Sequence, residues 1–189
     1  MIRIGILGNI GSGKTFVANN FGYPVFNADY EVSKLYEKDK KIFYKLHKKL
    51  PKYISAFPID KKEITNAILA NEKNLKEIIN IVHKEIRKKL NLFLKKNRNS
   101  KIVILDIPLL IENKINNKND ILVFVDSKRK DIQKKIKKRS NFNIKILNIF
   151  REIQLKPSLK KKKSHFVIKN TFIKKPVKIE IKKILNNIL

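Results

Sequence analysis

Short apolar runs alternate along the chain with longer stretches in which apolar residues recur every three or four positions. The runs have the length of buried strands, and the longer stretches have the spacing of amphipathic helices. Strands are predicted at residues 2–7, 23–26, 101–107, 120–125 and 165–168. Helices are predicted at residues 14–21, 128–139, 143–155 and from after Pro176 to Leu189. This alternation predicts an α/β fold with a parallel sheet.

One long region departs from the alternation. From residue 30 to about residue 98 the pattern is helical and rich in lysine, with breaks near Pro51 and Pro58. We interpret this region as a helical insertion. The remaining segments, 1–29, 101–138 and 164–189, then form the core of a single domain, which a chain of 189 residues can accommodate.

The glycines point to the chemistry of that core, because all five of them lie within the first 22 residues. The segment Gly8-Asn9-Ile10-Gly11-Ser12-Gly13-Lys14-Thr15 lies between a strand and a helix and fits the pattern G-x-x-x-x-G-K-[ST]. In such a P-loop the backbone N–H groups surround phosphate oxygens, the lysine reaches the β- and γ-phosphates, and the hydroxyl ligates magnesium. The competing interpretation is a glycine turn with a solvated lysine. The motif therefore predicts a three-layer core of the P-loop NTPase type that binds ATP and Mg²⁺.

Composition narrows the function classes. The chain has no cysteine, which excludes disulfides, thiolate metal sites and cysteine nucleophiles. It shows no signal-peptide pattern and no apolar run of membrane-spanning length, so we expect a cytoplasmic protein. We further expect a monomer or weak homo-oligomer. The formal net charge of +29 suggests nucleic-acid binding, but the lysines are dispersed and few aromatic residues lie among them. Biased residue usage explains the charge better, and a nucleic-acid-associated ATPase stays the less favoured alternative.

Two aspartates follow predicted strands. Asp29 comes after the run that ends at Phe26, at the edge where open α/β sheets bind ligands, and can serve as a general base or cap the next helix. Asp106 ends the run 102–105 and can be a magnesium-supporting acid or simply the last residue of a strand. The small size of the chain favours a kinase with a small-molecule acceptor, such as a nucleoside, a nucleotide or shikimate.

Several blocks of residues together resemble the dephospho-coenzyme A kinase family. They span nearly the whole chain in the family's order: Ile6 to Thr15, Pro24 to Asp29, His83, Asp106 to Asn113, Val125-Asp126, Arg139, Gln154 and Phe166 to Asn170. The resemblance implies transfer of the ATP γ-phosphate to the 3′-hydroxyl of dephospho-coenzyme A, the last step of coenzyme A synthesis. It also implies a nucleotide core, a helical substrate domain and a helical lid, here at about residues 139–163.

The resemblance also assigns roles to single residues. It makes Asp29 the preferred catalytic base and places Arg139 in the lid, where an arginine lies near adenine or neutralises charge during phosphoryl transfer. Three residues depart from the family's pattern. Asn27 stands where an aspartate is usual, Phe16 replaces a small hydroxyl residue, and Lys84 replaces a proline. The change at Asn27 removes one carboxylate near the acceptor, whereas the changes at Phe16 and Lys84 leave the chemistry of Lys14, Thr15 and Asp29 intact.

The remaining candidates have weaker support. Arg151 and Gln154 share one face of a predicted helix, and the run Lys160 to Lys163 is typical of a solvated surface. Asn170 can line an adenine pocket or form a turn after the last strand. His83 has no partner at metal-ligand spacing, so a structural or substrate-side role is favoured.

Overall fold

The computed structural model of the protein describes residues 1–138 and 143–189 and divides the chain into two compact units. The first unit contains Met1–Asn27, Asn97–Asn143 and Ile149–Leu189, less the residues outside the described ranges. The second unit contains Ala28–Lys96 and Ile144–Asn148. Each unit has its own buried apolar residues and is considered by itself.

The first unit is organised around a parallel sheet. Its five strands are β1 (Ile2–Gly8), β2 (Val25–Asn27), β3 (Ile102–Asp106), β4 (Ile121–Asp126) and β5 (Phe166–Lys169), in the spatial order β2-β3-β1-β4-β5. All neighbouring pairs are parallel, and every residue of β3 is buried. A strand covered on both faces needs an uninterrupted apolar sequence, which explains why the runs show no polar alternation. The predicted α/β fold class is confirmed.

Helices of the first unit contribute further buried residues. They are α1 (Lys14–Asn20), α6 (Arg129–Lys137), α8 (Pro157–Lys162) and α9 (Lys174–Ile188). Val17 of α1 and Val177 and Ile181 of α9 belong to one buried cluster with β-strand residues such as Ile104. The predicted start of the last helix after Pro176 is wrong, since α9 begins at Lys174. Proline fits the first turn because N–H groups there have no helical acceptor.

The second unit is helical. It contains α2 (Ala28–Lys38), α3 (Lys40–Lys49), α4 (Lys61–Ala70) and α5 (Glu72–Lys96), while α7 (Ile144–Glu152) is divided between the two units. The side chain of Asp39 caps α3 by accepting from the N–H of Ile42 at 3.1 Å. On α5, Leu75, Ile78, Val82, Ile86 and Leu90 are buried. Their spacing of three or four residues creates the apolar stripe of an amphipathic helix.

The register of the sheet decides which polar residues become neighbours. Asn27 and Asp106 are register partners and are the last residues of β2 and β3. Because parallel strands end at the same edge, the carboxyl ends of β1, β2 and β3 bring the loop after Gly8 close to both residues.

Within the described residues, no helix is both long and apolar enough to cross a bilayer.

Candidate functional site

The loop between β1 and α1 is tightly turned. The N–H of Ser12 donates to the carbonyl of Asn9 at 3.1 Å, and α1 begins at Lys14. Gly13, which precedes α1, has a φ of 84°, and a Cβ atom there would collide with the side chains of Asn170 and Phe172. Only glycine satisfies both conditions, the left-handed backbone and the close neighbours. The sequence motif thus has the strand, loop and helix that its chemistry requires.

The Lys14 ammonium lies against the loop itself. Its Nζ is 3.0 Å from the carbonyl oxygen of Asn9 and 3.4 Å from that of Gly8, with the side chain half-buried. Both contacts are to neutral acceptors, which hold a cation less strongly than a carboxylate does. The ammonium is therefore placed at the loop and can exchange these carbonyls for phosphate oxygens.

Thr15 is joined to the two register partners at the sheet edge. Its hydroxyl donates to Asp106 Oδ2 at 2.6 Å, and the Asn27 amide donates to the same oxygen at 2.7 Å. Asp106 is only 3% exposed, so these donors offset the loss of water around its carboxylate. Asp106 both ends β3 and contacts the phosphate loop. Asn27, the departure from the family's aspartate, acts here as a hydrogen-bond donor to that acid.

These side chains suit a magnesium ion. Mg²⁺ prefers oxygen ligands, usually keeps several waters and commonly takes one or two protein groups beside substrate phosphates. The Thr15 hydroxyl gives its hydrogen to Asp106, which leaves its lone pairs free to face a cation. In residues 1–138 and 143–189 no cluster of three or more His, Asp or Glu is placed to hold a metal ion. A metal here would therefore depend on nucleotide phosphates for most of its ligands.

The other two predicted catalytic residues are in different situations. Asp29 lies in the first turn of α2, in the second unit, where a carboxylate is also favourable for the helix dipole. Arg139 lies outside the described residues. His83 is half-buried on α5, and burial, followed by the positive charge of Arg87, lowers the pKa of its imidazole.

The structure identifies a contact behind the loop that the motif did not predict. The carbonyl of Ser12 accepts from the Ser127 hydroxyl and from the Asn170 amide, each at 2.8 Å. Asn170 also accepts from the N–H of Phe172 at 2.8 Å, so it forms a turn after β5, one of its two predicted roles. Ser127 was missed because nothing in its local sequence indicates a partner 115 positions away.

The prediction of a solvated lysine run is wrong for its first member. Lys160 is 3% exposed, and its Nζ lies 2.8 Å from Glu112 Oε1 and 3.1 Å from Gln154 Oε1. The following lysines of the run are exposed. Every fourth residue of a helix returns to the same face, so one lysine of α8 faces inward while its neighbours reach water.

Gln154 and Arg151 do not share a helical face, because α7 ends at Glu152. Arg151 is exposed, whereas Gln154 is half-buried and bound to Lys160. Glu112 also accepts from the N–H of Leu155 at 3.1 Å, which fixes the backbone that follows α7. Gln154 therefore serves as a hydrogen-bond acceptor for Lys160, although it lies beyond the end of α7.

Two departures from the family's pattern have structural consequences of different size. Phe16 is half-buried and packs against the apolar cluster of the first unit. Its ring gains burial where a hydroxyl residue would have offered a polar contact. Lys84 is exposed on α5, where a lysine is readily accommodated.

Comparison with known proteins agrees with this geometry. The family profile described as dephospho-CoA kinase matches residues 2–175. The dephospho-CoA kinase of Wolbachia pipientis wMel is 33% identical over 190 residues, covering 98% of this chain and 97% of that protein. A crystal structure from Thermus thermophilus has a TM-score of 0.82 at 25% identity, covering 100% of this chain and 97% of the other.

A second solved structure shows the fold. The dephospho-CoA kinase from Campylobacter jejuni has a TM-score of 0.64 at 21% identity, covering 98% of this chain and 96% of the other. The family match extends over nearly the whole chain and includes the loop that holds Lys14 and Thr15. The chain is an ATP-dependent phosphotransferase and belongs to the dephospho-CoA kinase family.

Proposed function

We propose that this protein transfers the γ-phosphate of ATP to the 3′-hydroxyl of dephospho-coenzyme A, giving coenzyme A and ADP. The observation that supports it is the family match along residues 2–175, on a chain whose phosphate loop is bonded through Thr15 to Asp106. The proposal also includes a cytoplasmic location, which a biosynthetic family favours.

In this proposal the segment from Gly8 to Thr15 holds the nucleotide. Backbone N–H groups of the loop bind the phosphates, and the Lys14 ammonium leaves the carbonyls of Gly8 and Asn9 for the β- and γ-phosphates. Thr15 would ligate Mg²⁺ directly and Asp106 through water. When bound, this ion supplies positive charge that neutralises the phosphate oxygens.

The acceptor side of the reaction is assigned to Asp29. Its carboxylate accepts the proton of the 3′-hydroxyl while that oxygen forms a bond to the γ-phosphorus. The bond between the γ-phosphorus and the β,γ-bridging oxygen breaks, and ADP leaves with the electron pair. Arg139, in the lid segment, neutralises charge on the transferred group.

The decisive experiment measures product formation from MgATP with dephospho-coenzyme A. Parallel reactions contain nucleoside monophosphates, nucleosides or shikimate, and Lys14→Ala protein serves as the blank. Coenzyme A formed only by the intact protein supports the proposal. ADP formation with another acceptor would keep the phosphate-loop chemistry and reject the substrate. If no acceptor stimulates turnover, binding to RNA or DNA and its effect on ATP hydrolysis become the next test.

We predict that Asp29→Asn lowers kcat by about 10²–10⁴-fold, because general-base catalysis contributes that much, and changes ATP affinity little. Steady-state kinetics with dephospho-coenzyme A and calorimetric ATP binding measure the two quantities. Asp39→Asn is the matched control, since asparagine still caps α3. Loss of ATP affinity with an unchanged kcat would instead give Asp29 a metal-binding or structural role.

A further inference from the structure

Two side chains from outside the phosphate loop donate to one of its backbone oxygens. Ser12 is fully buried, and its carbonyl oxygen accepts hydrogen bonds from Ser127 Oγ and Asn170 Nδ2, both at 2.8 Å. A carbonyl oxygen has two lone pairs, so these two donors use its full capacity. The Ser12 carbonyl is therefore fixed in direction.

The two donors come from adjacent strand ends and are fixed themselves. Ser127 directly follows β4 and Asn170 directly follows β5, and the Asn170 N–H donates to the carbonyl of Asp126 at 2.7 Å. The N–H of Phe172 donates to Asn170 Oδ1 at 2.8 Å. Because the oxygen of this amide is occupied by a donor, its nitrogen must face Ser12. The amide orientation thus follows from the hydrogen bonds on both of its ends.

Peptide geometry converts this fixed carbonyl into a fixed donor. In a planar trans peptide the C=O of one residue and the N–H of the next point in opposite directions. The carbonyl of Ser12 points at Ser127 and Asn170, so the N–H of Gly13 points away from them. Gly13 has a φ of 84°, and the ring of Phe172 lies where a Cβ atom would stand. A residue with a side chain therefore cannot replace this glycine.

We propose that Ser127 and Asn170 are positioning residues that hold the Ser12–Gly13 peptide with the Gly13 N–H directed at the phosphates of ATP. Preorganised backbone donors stabilise phosphate charge without the cost of reorienting on binding. This inference rests on ATP binding by the phosphate loop and is independent of the acceptor. It places Asn170 behind the loop, whereas lining of an adenine pocket was the other role open to it.

The test is calorimetric binding of ATP and of AMP, without acceptor, to the intact protein and to Ser127→Ala and Asn170→Leu. Both substitutions remove a donor without adding charge. We expect each variant to bind ATP about three- to tenfold more weakly, the range for one net hydrogen bond. AMP lacks the β- and γ-phosphates that the loop holds, so its affinity should change by less than about twofold.

Two control variants separate positioning from general damage. Ser127→Thr keeps the hydroxyl and should restore the ATP affinity to near that of the intact protein. Ser164→Ala also removes a serine hydroxyl that donates to a backbone carbonyl, here that of Lys160 at 2.8 Å. Lys160 belongs to α8 and not to the phosphate loop. This variant should leave the ratio of ATP to AMP affinity unchanged, and circular dichroism checks the fold of each variant.

Two results would overturn the inference. Equal weakening of ATP and AMP by Asn170→Leu would place Asn170 at the adenine or in general support of the fold. Unchanged ATP affinity in a folded Ser127→Ala protein would show that the carbonyl needs no donor from Ser127. Neither result depends on coenzyme A formation, so this inference and the proposed function can fail separately.

Discussion

Two lysines of the first unit, Lys14 and Lys160, illustrate opposite uses of the same side chain. The Lys14 ammonium lies on two neutral backbone carbonyls at 3.0 and 3.4 Å in a half-buried loop. The Lys160 ammonium is 2.8 Å from the Glu112 carboxylate and is almost completely buried. In the proposed function the Lys14 ammonium moves to the phosphates of ATP, whereas the Lys160 ammonium stays with its carboxylate.

The difference teaches how environment, and not residue type, assigns a role to a lysine in a chain with 45 lysines and arginines. A cation that binds a ligand has to lie where the ligand can reach it, as the half-buried Lys14 does at the loop. A buried structural cation must have strong partners, because an unpaired charge in the interior is very costly. Substitution of Lys14 should therefore change mainly turnover, and substitution of Lys160 mainly the free energy of unfolding.

The largest effect is expected at Lys14. Lys14→Ala should lower turnover by at least about 10²–10³-fold, the loss typical of removing one preorganised group that stabilises transition-state charge. The fold should stay intact in this variant, because the half-buried lysine is not part of the buried apolar cluster of the first unit. Coupled ADP assays and thermal unfolding test both statements. Near-normal turnover would contradict the assignment of the phosphate loop.

The next effect is expected at Lys160 and concerns stability. Lys160→Met should lower the free energy of unfolding by about 3–5 kcal/mol, because it leaves the Glu112 carboxylate buried without its cation. Urea denaturation measures the loss. Adding Glu112→Gln removes the unpaired charge and keeps an acceptor for the Leu155 N–H, so the double variant should recover much of it.

Lys161 is the matched control on the same helix. Its Nζ lies 2.9 Å from Asp126 Oδ2, nearly the distance of the buried pair, but both side chains are about half exposed. Lys161→Met should cost no more than about 1 kcal/mol, since exposed ion pairs are screened by water and salt. Equal losses for the Lys160 and Lys161 variants would show that burial does not distinguish the two pairs.

The smallest effect is expected at His83, whose charged form is disfavoured by burial. Burial and the nearby Arg87 charge lower the pKa of His83, so the unfolded chain takes up its proton at a higher pH than the folded protein does. The free energy of unfolding should therefore fall as the pH drops through the unfolded-state value, roughly 6.5, towards the lower folded pKa. His83→Gln should lose less stability than the intact protein between pH 8 and pH 5 in urea titrations. Parallel pH profiles for the two proteins would contradict this prediction.

Sequence reasoning succeeded where the information is local. The eight-residue motif has the strand before it and the helix after it that the sequence predicted, and the parallel sheet follows from apolar runs separated by helical spacing. The role of Asp106 could only be left open, because the hydrogen bond that it accepts from Thr15 joins residues 91 positions apart. Strand register determines that contact, and register depends on the packed sheet.

Sequence reasoning failed where tertiary packing selects one residue among similar ones. Four consecutive lysines look equivalent in the sequence, yet Lys160 alone among them is buried. Ser127 is an ordinary polar residue after a strand until the fold brings it to Ser12. In both cases the missing information is which partner the completed fold supplies.

The distribution of glycine has a consequence for engineering this protein. With no glycine after Gly22, left-handed backbone elsewhere falls on residues with side chains, including Leu109, Lys114 and Phe172 at φ values of 59°, 51° and 61°. Such a conformation costs a side-chain-bearing residue roughly 1–2 kcal/mol. Lys114 is exposed, so its turn is a place where the scaffold can be made more robust without altering nucleotide binding. The glycines are concentrated in and near the phosphate loop, whereas the exposed turn at Lys114 is a position where stability can be raised.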